Sequence, residues 1–298
     1  MKRARIIYNP TSGREAFQKE LPRVLQKLEE AGYEASTHAT TGEGDATQAA
    51  RIAVTREYDV VIAAGGDGTI NEVVNGLAEQ PFRPKLGVIP VGTTNDFARS
   101  LRIPRNIQKA IDVVIAGNTK KIDIGKIDEN RYFIYIAGGG KITELTYEVP
   151  SKLKTMLGQL AYYIKGIEML PFMKPINVRI EYDDHILEEP IMMFLISNSN
   201  SIGGFERANP LGEMDDGYFD LLIVRKTHFG DIPKIATSLL KGNHIHHDKI
   251  IYTKTKSLTV DVEENVSLNI DGEYGGLLPG KFVNLYQHIE FFVPENTD

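Results

Sequence analysis

Three polar, glycine-bearing segments stand in the amino-terminal third of the chain, each after a short apolar run. They are Asn9-Pro10-Thr11-Ser12-Gly13, Gly65-Gly66-Asp67-Gly68-Thr69-Ile70-Asn71-Glu72, and Gly92-Thr93-Thr94-Asn95-Asp96-Phe97-Ala98-Arg99. Glycine lets the chain turn tightly and brings bare amides against a ligand. A helix that starts at such a turn adds free N–H groups and partial positive charge, which favours phosphate. Thr69 is placed to cap that helix. Asp67 does not suit a purely anionic ligand unless a cation such as Mg²⁺ accompanies it. Alone, the Gly-Gly-Asp-Gly run fits a plain strand–turn–helix junction equally well; three such loops on one rim argue for a nucleotide.

A parallel sheet would put them on one rim. Strand-like runs at Arg5–Tyr8, Tyr33–His38, Val60–Ala64 and Leu86–Pro90 alternate with helical apolar spacing at Leu21, Val24, Leu25 and Leu28, and at Ile70, Val73, Val74 and Leu77. This pattern predicts a parallel sheet covered by helices on both faces, with ligands beyond the carboxyl ends of the strands. From about Lys121 strand-like stretches dominate: Tyr132–Ile136, Ile176–Tyr182, Leu187–Ser197, Phe219–Val224, Ser257–Val262 and Val266–Ile270, with Asp183-Asp184 as a turn. Helical segments interrupt them at Ser151–Leu170 and Asp231–Leu240. A β-rich second domain of two packed sheets is expected from residue 122 onward. No repeat, low-complexity tract or Gly/Ser linker separates the halves.

Composition removes several chemistries. None of the 298 residues is Cys, which excludes disulfides, a thiol nucleophile and thiolate zinc. Lys and Arg number 34 against 40 Asp and Glu, so a net charge of −6 gives no bulk attraction for nucleic acid. The basic start Met1–Tyr8 lacks the apolar stretch of a secretory signal. Apolar runs such as Ile191–Ile196 fall far short of the roughly 20 residues that cross a bilayer. A cytoplasmic protein is expected, unless it docks on a membrane surface. No Walker motif, Gly-x-Gly-x-x-Gly or Gly-x-Ser-x-Gly occurs, which argues against P-loop NTPases, dinucleotide dehydrogenases and α/β-hydrolases.

Taken in order with Gly203-Gly204, Asp215-Asp216-Gly217 and Asp271-Gly272-Glu273, these motifs resemble the diacylglycerol kinase catalytic-domain family, which also holds sphingosine and ceramide kinases. The similarity is greatest to the soluble bacterial branch of Gram-positive organisms. The first glycine motif is shared with NAD kinases and phosphofructokinases; the full series is much more specific. The resemblance implies an N-terminal Rossmann-like α/β domain (residues 1–121 with 283–298) and a C-terminal β-sandwich (122–282), with the active site in the cleft between them. It implies ATP contacts at Asn9, Pro10, Thr11, Ser12, Gly13, Thr41, Gly65, Gly66, Asp67, Gly68, Thr69, Asn71, Glu72 and Thr94. A structural Mg²⁺ would be held by the Asp216 side chain and the carbonyls of Glu213 and Tyr218. Where the family usually reads Pro-x-Ala before this loop, the chain has Pro210-Leu211-Gly212, and the glycine is expected to loosen it.

The implied reaction is ATP- and Mg²⁺-dependent phosphorylation of the free hydroxyl of diacylglycerol, giving phosphatidate, at the inner face of a membrane. Asp67 would serve the metal–phosphate network and Glu273 would match the general base. By itself Glu273 is read as a solvated residue in a hairpin turn. Asp271 competes for the same role, since strand alternation would point both side chains the same way. The stripe Leu153, Met156, Leu157, Leu160, Ile164 and Ile167 is read first as core, and second as a lipid-entrance helix flanked by Lys152, Lys154, Lys165 and Lys174. Arg14 and Arg99 would join Lys165 at the membrane. Gly138-Gly139-Gly140 predicts a close backbone approach, either to substrate or to the other domain. His244, His246 and His247 are read as an exposed loop rather than a metal site. The rival readings are kinases of sphingosine, ceramide or monoacylglycerol, an NAD kinase, and a non-catalytic nucleotide or lipid sensor. A homodimer is compatible with all of them.

Overall fold

In the computed structural model the described residues are 1–140, 174–199, 209, 211–231, 234–235, 238 and 242–295. The Ser151–Leu170 stripe with Lys152, Lys154 and Lys165, Gly203-Gly204 and Pro210 lie outside them. The chain divides into two compact units, Met1–Ile124 with Gln287–Asp298, and Gly125–Tyr286.

In the first unit β1 (Lys2–Tyr8), α1 (Ala16–Glu30), β2 (Tyr33–Ala39), α2 (Asp45–Thr55), β3 (Val60–Gly65), α3 (Asp67–Leu77), β4 (Lys85–Pro90), α4 (Asp96–Ser100) and α5 (Ile107–Ala116) follow in order. β1 pairs in parallel with β2 and β3, and β3 with β4. Every residue of β3, Val-Val-Ile-Ala-Ala-Gly, is buried, as a central strand with both faces covered requires. Ile70, Val73, Val74 and Leu77 of α3 are all buried, as are Phe17, Val24 and Leu28 of α1. α2 buries alanines at 46, 49, 50 and 53. Those small side chains let α3 come close enough that a Cβ on Gly76 would stand 2.5 Å from the Thr47 carbonyl oxygen.

The second unit is antiparallel. Strand β5 (Thr119–Ile127) carries the chain across the boundary, followed by β6 (Arg131–Phe133), β7 (Ile136–Gly140), β8 (Ile176–Tyr182), β9 (His185–Ser197), β10 (Phe219–Arg225), β11 (Ile250–Thr255), β12 (Ser257–Val262), β13 (Ser267–Ile270), β14 (Glu273–Leu277) and β15 (Gly280–Phe292). Along β8, Ile176, Val178 and Ile180 are buried while Asn177, Arg179 and Glu181 are exposed, the period of a half-buried strand. β9 changes partners along its length. Residues 185–191 pair with β8, while 193–197 lie between β7 and β10. One apolar cluster gathers Phe133, Phe194, Phe219 and Phe282; another gathers Met192, Leu222, Val224, Ile235 and Ile250. The far end of β15 belongs to the first unit, where Phe291 pairs in parallel with Leu86 of β4.

Several local expectations change. The run Tyr132–Ile136 is not one strand but breaks between β6 and β7 at Ile134 and Tyr135, whose amides leave the ladder to bind a side chain described below. Gly138 is closely approached by its own sheet: a Cβ there would stand 2.8 Å from the Phe194 carbonyl oxygen of β9. The histidine loop is not exposed throughout, because His244 is fully buried at the start of a short 3-10 turn.

Candidate active site

At the carboxyl ends of β1, β3 and β4 the three glycine-bearing loops meet backbone to backbone. Gly13 has φ +59°, and a Cβ there would lie 2.5 Å from the Val91 carbonyl oxygen. A Cβ on Gly92 would lie 2.5 Å from the Cα of Gly66. Only glycines allow these contacts. The Asn9 amide donates to the Ala64 carbonyl at 3.1 Å, while Asn9 Oδ1 accepts the Thr11 amide and hydroxyl at 3.0 and 2.9 Å, which sets the turn through Pro10, Thr11 and Ser12. Asn95, buried and left-handed at φ 54°, closes the third loop: its Oδ1 accepts the Gly92 amide at 2.9 Å and its Nδ2 donates to the Gly92 carbonyl at 2.7 Å.

Asp67 ties the second loop to the third. Its Oδ2 accepts the Asp96 amide at 3.1 Å and its Oδ1 the Phe97 amide at 3.2 Å. Thr69 does not cap α3. Gly66 is the N-cap, Asp67 opens the helix, and Thr69 falls inside the first turn, where it packs against Gly65. The start of α3, with Gly68, therefore stands at the rim with the two other loops.

Other expected contacts are tied in different ways. The Thr41 amide and hydroxyl donate to Asp45 Oδ2 at 2.7 and 2.9 Å, and His38 Nε2 lies 3.0 Å from Asp45 Oδ1. The Thr41 amide, then its hydroxyl and His38, hold the Asp45 carboxyl below its ordinary value. Asn71 accepts from Asn75 Nδ2 within α3. Glu72 turns to the start of α2, where its Oε2 accepts the Ala46 amide at 3.1 Å. Arg105, absent from the sequence reading, donates to the Thr93 carbonyl at 2.7 Å and the Thr94 carbonyl at 3.2 Å, and Arg99 donates to Thr94 at 3.0 Å.

In the second unit Asp271-Gly272 is the turn of a hairpin. Ile270 of β13 pairs with Glu273 of β14, and the two turn residues have φ +49° and +94°, the left-handed pair for which Asp-Gly is the favoured sequence. Asp271 and Glu273 thus do not lie on one strand, and alternation does not align them. Asp271 instead accepts three amides, from Tyr135 and Ile136 at Oδ1 and from Ile134 at Oδ2, each at 2.9 Å. Glu273 opens β14 and is exposed.

The loop through residues 211–218 is anchored by a buried polar network. Gly212 does not loosen it: a Cβ there would collide with the Ser199 carbonyl and the Asn209 amide. Asp216 Oδ1 accepts the Tyr218 amide at 2.9 Å, and Lys254 Nζ lies 2.5 Å from Asp216 Oδ2 and 3.7 Å from Asp220 Oδ1. Asn209 donates to Asp220 Oδ2 at 2.8 Å, and the Tyr252 hydroxyl donates to Asp220 Oδ1. Burial pushes the Asp220 carboxyl up despite these bonds, and burial with the adjoining Asp220 also raises the Tyr252 phenol. Glu213 and Tyr218 are exposed. A carboxylate oxygen is the kind of donor that Mg²⁺ prefers, and both Asp216 oxygens are engaged here by the Tyr218 amide and Lys254. Such a cation would share Asp216 with Lys254. Tyr252→Phe leaves buried Asp220 one donor short and is expected to lower the unfolding free energy by about 1–3 kcal/mol, read by urea titration.

Similarity to known proteins agrees with both halves of this arrangement. Residues 3–127 match the diacylglycerol kinase catalytic domain, and residues 144–293 match the YegS C-terminal NAD kinase beta sandwich-like domain. The chain is 62% identical to a diacylglycerol kinase of Bacillus subtilis strain 168 over 99% of its own length and 97% of that protein's. It is 57% identical to one from Staphylococcus epidermidis, covering 99% and 93%. A crystal structure of a diacylglycerol kinase from Bacillus anthracis str. Sterne superposes with a TM-score of 0.83 at 28% identity, covering 99% of this chain and 98% of that one. The catalytic-domain match and the full-length relatives named diacylglycerol kinase place the protein among the lipid kinases. The chain belongs to the diacylglycerol kinase family.

Proposed function

We propose that this protein transfers the γ-phosphate of ATP to the free hydroxyl of diacylglycerol, giving phosphatidate, with Mg²⁺ as cofactor. The observation that supports this best is the meeting of the three glycine-bearing loops at one rim of the first unit. Phosphoryl transfer asks little covalent chemistry of the protein; donor and acceptor must be aligned and the developing charge neutralised. The amides of Gly65–Gly68 and the start of α3 bind phosphate, with Asn9–Gly13, Thr41 and Thr94 completing the nucleotide contacts. Asp67 holds the second and third loops in register through the amides of Asp96 and Phe97. Mg²⁺, when bound, neutralises charge on phosphate oxygens. Asp216, with the carbonyls of Glu213 and Tyr218, would hold a structural Mg²⁺. Glu273 accepts the acceptor's hydroxyl proton as the new O–P bond forms.

The acceptor is a lipid, so the enzyme works at the surface of the inner membrane face. No helix among the described residues is long and apolar enough to cross a membrane. The deciding assay offers γ-labelled ATP and Mg²⁺ with diacylglycerol, monoacylglycerol, sphingosine or NAD in separate reactions. Label is expected in phosphatidate. Label in NAD and in no lipid would overturn the reading, and preference for another lipid alcohol would change the substrate.

Arg105 gives a smaller prediction. Its hydrogen bonds to Thr93 and Thr94 brace the loop that contacts nucleotide. Losing about 1 kcal/mol of such bonding in Arg105→Ala is expected to raise the KM for ATP roughly fivefold with kcat nearly unchanged, as steady-state kinetics would measure.

A further inference from the structure

The hairpin that carries Glu273 is held from outside itself. Three successive amides, those of Ile134, Tyr135 and Ile136, converge on the Asp271 carboxylate at 2.9 Å. Successive main-chain N–H groups that point into one concavity are an anion-binding arrangement, and here the anion is a side chain of the same unit. The Asp271 amide returns a bond to the Ile136 carbonyl at 2.8 Å. On the other side of the turn, Asn269 Oδ1 accepts the Gly272 amide at 3.0 Å. Asn198 grips the same amide segment from behind, its own amide donating to the Tyr135 carbonyl at 3.0 Å. The strand break between β6 and β7 frees the Ile134 and Tyr135 amides, which join the first amide of β7, that of Ile136, on one carboxylate.

We propose that Asp271 is the positioning residue for Glu273: by locking the Asp271-Gly272 turn onto residues 134–136 it sets where the next carboxylate stands. The inference rests on the reading of Glu273 as general base. Asp271 touches no substrate in it. An asparagine at 271 keeps the shape but turns an amide donor toward one of the three backbone donors, so the turn shifts. A displacement near 1 Å at a reacting group can cost about 100-fold in rate.

The test compares Asp271→Asn, Glu273→Gln and the double variant, all in the full chain. Asp271→Asn is expected to lower kcat by roughly 10- to 100-fold with the KM for ATP within about twofold of wild type. In the double variant it is expected to add no further loss, because a residue that acts only through Glu273 has nothing left to position. Asn269→Ala releases the other side of the same turn. It is expected to give the same loss confined to kcat, and it stands in if Asp271→Asn does not fold. Asp271→Asn retaining wild-type kcat while Glu273→Gln is inactive would overturn this inference alone. So would additive losses in the double variant, or a rise in the KM for ATP that matches the fall in kcat. Full activity of Glu273→Gln would overturn the general-base reading, and this inference with it.

Discussion

Glu273→Gln is expected to lower kcat by roughly 10²–10⁴-fold, the usual worth of a positioned general base, while the KM for ATP stays near wild type. Glutamine matches glutamate in size and keeps a carbonyl acceptor, but its amide cannot take a proton from the acceptor hydroxyl. Glu273 is exposed at the start of β14, so the substitution asks nothing of the core. The turn before it is held by Asp271 and Asn269, so the backbone that presents the side chain persists. An unchanged melting temperature with activity lost would mark a chemical defect. A variant with full activity would remove Glu273 from the mechanism.

The second large effect is expected at Gly92. A methyl group there meets the Cα of Gly66 at 2.5 Å and Asn95 Oδ1 at 2.8 Å. The first obstacle is backbone, and the second is a buried side chain already bonded to Gly92 at both its amide and its carbonyl. Neither can rotate away, so the two loops must separate by about 1 Å, a shift able to cost roughly 10²-fold when it disorders groups around a reacting phosphate. Gly92→Ala is expected to lower kcat/KM for ATP by at least tenfold, with the loss concentrated in nucleotide binding. Isothermal titration with a non-hydrolysable ATP analogue checks this directly. Unchanged affinity would mean that the meeting of the loops does not hold nucleotide.

The parallel core of the first unit was legible because its signals are local. Val60–Gly65 is apolar throughout because a central strand is covered on both faces, and Ile70, Val73, Val74 and Leu77 repeat at helical spacing because one face of α3 is buried. The glycine-bearing loops were legible for the same reason. Strand ends in a parallel sheet share a rim, and glycine is the residue that tolerates close backbone approach. The exact start of α3 was not, because Asp67 and Thr69 both suit a helix start, and the choice fell to bonds between Asp67 and α4, 29 and 30 residues away. Asp45 could have been found as an acidic residue opening a helix after Gly44, four residues beyond Thr41. Arg105 and Lys254 had no local signal, since each acts on carbonyls or carboxylates brought near by folding.

From the order of its residues alone this protein declared two structural textures, an ordered set of glycine and acidic motifs, and a kinship with lipid kinases. The first two depend on periods and spacings along the chain, and the third on the resemblance of those motifs to a known family. What tertiary structure decided is how carboxylates are engaged. Asp271 read as a second base, yet it binds amides 135 to 137 residues earlier in the chain. Asp216 read as a metal ligand, and it shares its second oxygen with a lysine 38 residues away. A carboxylate has the same acidity and shape wherever it stands in the sequence. Its role is set by the donors that surround it, and those arrive only when distant segments pack.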